Sequence, residues 1–67
     1  MRDEIQALIK EYKIAIMEIN MLLEELSQID DTKLSYQEEI SLKELKSSHE
    51  EAYRLYGIFL DQLEGLL

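Results

Sequence analysis

The chain has 67 residues, of which 46% are hydrophobic, with two glycines and neither cysteine nor proline. Fifteen acids against seven lysines and arginines give a net charge of −8 at pH 7. This length allows one small domain at most; disulfides and thiolate metal sites are excluded, and the charge disfavours direct contact with nucleic acid phosphates.

At the N-terminus, Asp3 followed three residues later by Gln6 predicts a helix cap. The helix it opens should run from about residue 4 to about residue 29. Within it Ile5, Ile9, Tyr12, Ile16, Ile19, Leu23 and Leu26 recur in steps of four and three, the spacing of a seam that packs against another helix. The pattern breaks where Asp30 takes the next core position, so residues 30–35 are expected to form a connection. Ser35 with Glu38 is a capping box and restarts a helix at Tyr36. That second helix should continue to about residue 64, with Gly65 as its C-terminal cap.

Two helices joined this way make an all-α, antiparallel two-helix hairpin as a single domain over residues 1–67. One uninterrupted helix is the alternative. The second seam reads Leu42, Leu45, His49, Ala52, Tyr56, Phe59, Leu63 and Leu66. Folding about residues 31–34 sets Leu42 opposite Leu23, Leu45 opposite Ile19, His49 opposite Ile16, Ala52 opposite Tyr12 and Tyr56 opposite Ile9. A lone hairpin leaves much of this apolar surface wet. A further column, Leu8, Ala15, Leu22 and Ile29, widens the apolar arc of the first helix beyond what one neighbour covers. Both features predict a homodimer, two hairpins pairing into a four-helix bundle.

Some features lie outside that bundle. Ile14, Met17 and Met21, with Ala7, fall nearly opposite the first seam and are the candidate surface for a partner protein. Glu4, Glu11, Glu18 and Glu25 form a negative column at seven-residue intervals. Asp30 and Asp31 belong to an acidic stretch, residues 24–39, with six acids and only Lys33 against them. Glu11, Glu18, Glu25, Asp30 and Asp31 therefore join the candidate partner-binding set, although a solvated face is the simpler account of such acids.

Chemistry is sparse. His49 is the only conventional base that titrates near neutrality, and its neighbours Ser47 and Ser48 diverge around the helix, so no nucleophile–base pair is visible. Position 46 is lysine, where a bundle metal site would want glutamate three residues before the histidine. Asp30-Asp31 lacks the glycine and spacing of a calcium loop. No phosphate-binding glycine loop exists. No enzyme activity and no cofactor are expected. There is no membrane-length apolar run and no signal-peptide pattern, so the expected location is the cytoplasm.

Leu22-Leu23-Glu24-Glu25-Leu26 followed by Asp30, and later Tyr53-Arg54, resemble stretches of the small plasmid-encoded ROP hairpins. That resemblance implies a four-helix dimer. ROP-type RNA binding uses a basic and polar face, whereas the corresponding face here carries the glutamate column. Hairpin co-chaperones of type III secretion share the length and shape. The residues favour a non-enzymatic interaction module, a small acidic regulator, inhibitor or adaptor of the kind that phages and plasmids carry. The alternatives are a DNA mimic blocking a basic groove, an ROP-like RNA-binding bundle, and a helical co-chaperone.

Overall fold

A computed structural model describes all 67 residues. It is all-helical: α1 spans Arg2–Ser27, a short 3-10 turn spans Asp31–Lys33, and α2 spans Tyr36–Glu64. The two long helices pack against each other as a hairpin 50 Å long and about a quarter as thick. No helix is long and apolar enough to cross a membrane.

The helix starts differ in quality. The capping box predicted at Ser35 is present: its hydroxyl accepts from the Glu38 N–H at 3.2 Å, and the Glu38 carboxylate accepts from the Ser35 N–H at 3.3 Å. Replacing Ser35 with alanine should cost about 1 kcal/mol of stability, read as a lower denaturant midpoint at unchanged slope. The cap expected at Asp3 does not form. α1 begins at Arg2, capped by Met1 without a side-chain bond, because the Met1 carbonyl already accepts the Ile5 N–H at 3.0 Å.

α1 also ends two residues before the expected position. The Ser27 hydroxyl bonds back to the Glu24 carbonyl at 2.6 Å, and the N–H groups of Gln28 and Ile29 tighten onto Glu25 and Leu26. Such back-bonding competes with continued helix. Asp30 then caps the 3-10 turn, accepting from the Thr32 N–H at 3.0 Å and its hydroxyl at 2.7 Å. The hydroxyl bond first, and the N–H bond second, hold the Asp30 carboxyl below its ordinary range. A depressed folded-state value stabilises the protein above the unfolded carboxylate range and ceases to do so as pH falls through it. The stability difference between the chain and Asp30→Asn should therefore be present at neutral pH and close in acid below pH ~4; denaturant midpoints across that range would show it.

The connection carries the chain further along the axis than expected, and this corrects the register by about one helical turn. Tyr12 meets Tyr56, with ring centroids 5.4 Å apart, instead of Ala52. Phe59 closes the cluster at 6.3 Å from both rings. Ala52 and Ala15 line one hollow.

Ile9 and Leu42 are the buried residues of the seam. Ile5, Tyr12, Ile16, Ile19, Leu23, Leu26, Ala52, Tyr56 and Leu63 are half-buried. Leu45 and Phe59 remain 45% and 39% exposed. α2 turns the line Leu42–His49–Tyr56–Leu63 towards α1, which leaves the parallel line Leu45–Ala52–Phe59–Leu66 on one shoulder.

At Gly57 a Cβ would meet nothing within 4 Å. A mid-helix glycine without a steric reason is a propensity defect. Gly57→Ala should therefore stabilise the hairpin by about 0.5–1 kcal/mol, seen as a raised thermal midpoint.

Candidate interaction surface

The two shoulders on one side of the seam enclose a trough. Leu26, Ile29, Leu42 and Leu45 line a hollow of about 380 Å³ near the turn. Ala15, Ile19, Leu22, His49 and Ala52 line another of about 380 Å³ at mid-length. Leu8, Tyr12, Phe59, Leu63 and Leu66 line a third of about 350 Å³ towards the open end. A smaller hollow shares Leu8 and Tyr12 with the third and Ala15 and Tyr56 with the second, so these merge. The column Leu8, Ala15, Leu22 and Ile29 forms the α1 wall of this trough. The α2 wall is the Leu45–Phe59–Leu66 shoulder, and Ala15 with Ala52 makes the middle shallow-sided and open.

Charge divides across the seam. At 100° per residue, Glu4, Glu11, Glu18 and Glu25 run along the trough side of α1, about 120° from the seam. On α2, Glu38, Ser41, Ser48 and Gln62 border the trough, with Glu44 and Glu51 beyond. Every lysine and arginine in the helices falls on the other side of the seam, and none lines any of the hollows. Arg54 binds Glu51 at 2.6 Å, within α2. That hydrogen bond, and then the guanidinium charge, hold the Glu51 carboxyl below its ordinary range. On the trough side this leaves Glu4, Glu11, Glu18 and Glu25 of α1 and Glu38 and Glu44 of α2 without a basic partner.

The candidate partner set separates into four places. Glu11 and Glu18 stand at the trough rim. Glu25 joins Glu18, Met21 and Leu22 around a shallow hollow of about 300 Å³ on the shoulder of α1. Ile14, Met17 and Met21 are 45%, 61% and 55% exposed, outside the helix pair. Asp30 and Asp31 lie at the turn, where Asp30 is engaged by Thr32. The trough was not evident in the sequence, because it depends on how far α2 is rotated about its axis.

His49 sits half-buried in the middle hollow, beside Ser48 and Glu18. Its Nδ1 lies 2.9 Å from the Leu45 carbonyl, so that nitrogen carries the proton and donates within its own helix. No three acids or histidines converge on a point where a metal ion would sit. What this surface offers is apolar area and a negative border, the components of macromolecular recognition. Comparison of the chain with known protein families, with characterised proteins and with solved structures finds no match.

Proposed function

We infer that this hairpin is a non-enzymatic protein-interaction module that completes its hydrophobic core by taking a further helix, or helices, into the trough. The observation that carries this reading is the burial pattern: two long amphipathic helices bury only Ile9 and Leu42. The accessible surface is 5377 Å², whereas a compact monomer of 7.9 kDa exposes about 4,400 Å². The excess is close to the ~800 Å² per partner of a standard interface.

A second hairpin stacked trough to trough gives the four-helix bundle, the homodimeric form of the reading. A helix from another protein gives a three-helix assembly, and the acidic rim favours this second form. The exposed Ile14, Met17 and Met21 ridge is then a subsidiary contact on the outside of α1. A small acidic regulator, inhibitor or adaptor acts in this way, by occupying a partner's helix. Sedimentation equilibrium of the full chain, alone and with candidate partners, tests the reading. Association that shields Leu22 and Leu45 supports it, and a chain that stays monomeric with every partner contradicts it.

A further inference from the structure

The trough is an apolar channel between two parallel-running walls, and it suits a helix better than an extended strand. A strand would need backbone partners, and the walls are helices whose backbone groups are already bonded internally. A helix needs only a ridge of large apolar side chains, and Ala15 and Ala52 leave room for that ridge at mid-length.

Charge decides what the flanks of such a helix must be. The rim on α1 carries Glu11 and Glu18, α2 adds Glu38 at the turn end, and no lysine or arginine lines the hollows. A second copy of this chain is poorly matched to that border. Two hairpins stacked with their turns at opposite ends bring the Glu4–Glu25 row of each α1 against its counterpart. Stacked with their turns together, they bring each row against Glu44 and superpose two acidic turns. Residues 24–39 carry six acids and one lysine in each. These like charges would lie within the roughly 10 Å over which salt leaves them unscreened.

We propose that the trough binds a basic amphipathic α-helix: large apolar residues at i, i+3, i+4 and i+7 enter between α1 and α2, and lysines or arginines on its flank meet Glu11 and Glu18. Over α2 the guest meets Ser48 and Gln62 along most of the trough and Glu38 beside Ser41 at the turn end. This rests on the trough being the interaction surface, and it names the chemistry of the occupant.

The test uses the full chain and a synthetic peptide of about 18 residues, roughly 27 Å as a helix, with leucine on one face and lysine elsewhere. Two controls have glutamate for every lysine, or the same residues scrambled to remove the apolar face. Calorimetric titration at about 0.15 M salt should give one lysine peptide per hairpin, with both controls about tenfold weaker or worse. Glu11→Gln with Glu18→Gln should weaken the lysine peptide several-fold and flatten its salt dependence while leaving the helical circular dichroism unchanged. Equal binding of the scrambled peptide, or indifference to the glutamine changes, overturns the proposal. So does a stable dimer with a shielded trough and no affinity for the peptide, which still leaves the hairpin an interaction module. A monomer that binds no peptide overturns this proposal, and only one that also stays monomeric with every partner overturns the reading on which it rests.

Discussion

Replacing Leu42 with aspartate is expected to abolish cooperative unfolding of the hairpin. Leu42 is one of the two buried side chains, and it sits where the first turns of α2 meet the end of α1 and the connection. Truncating a buried leucine costs about 2–5 kcal/mol on its own. An aspartate adds a carboxylate with no lysine or arginine lining the hollow to pair with it. A whole small domain is stable by about 5–15 kcal/mol, and one this thin belongs at or below the lower end. Circular dichroism melts should therefore show a shallow, non-cooperative loss of helix. Leu42→Met, which conserves volume, should keep the sigmoidal transition. A wild-type midpoint for the aspartate variant would mean that the seam is not where this protein gets its stability.

The second large effect separates folding from association. Leu22 and Leu45 stand on opposite walls of the trough, and each is 45% exposed in the hairpin. Arginine at both positions keeps good helix formers on both helices and buries no charge in the hairpin itself. In a complex it places two cations in a desolvated apolar interface, each at a cost of several kcal/mol. The double variant should retain its helix content and its intrinsic unfolding transition. Its affinity for any trough partner should fall by at least ~100-fold, about 2.7 kcal/mol. Loss of helix instead would show that the trough walls are needed to hold the hairpin together. Undiminished association would place the interface elsewhere, with the Ile14–Met17–Met21 ridge as the remaining exposed apolar surface.

How much of this could be read from the chain depends on which link is local. The α1 seam obeys a rule of spacing, and Ser35 with Glu38 obeys a rule of hydrogen bonding over three residues; both are written out in the sequence. Asp3 with Gln6 has similar spacing but no helix boundary to serve, because Met1 and Arg2 extend the helix past it. Register is not local. It depends on the path of residues 28–35, where the Ser27 back-bond and the Asp30–Thr32 turn advance α2 by about one turn relative to α1. That shift brings Tyr12, Tyr56 and Phe59 together, an aromatic cluster that seven-residue periodicity cannot reveal.

The candidate site divides in the same way. The glutamate column and the Leu8–Ile29 column were visible as periodicities, and their adjacency on one side of α1 follows from helix geometry. That they border a trough follows only from the rotation of α2, which points Leu42 and His49 inward and leaves Leu45 and Phe59 on the shoulder. The segregation of every helical lysine and arginine to the far side likewise needs both helices in place. Asp30 shows the opposite lesson: an acid that looks free for a partner is engaged in building the turn.

The central claim is that the core of this hairpin is finished by another helix, and its most direct test is the thermal midpoint of the full chain. Anything that binds only the folded state raises stability as RT ln(1 + [L]/Kd). The midpoint should rise with the concentration of the chain itself or of the leucine–lysine peptide, and the rise should vanish in the double arginine variant. A midpoint that is independent of both concentrations would contradict the account.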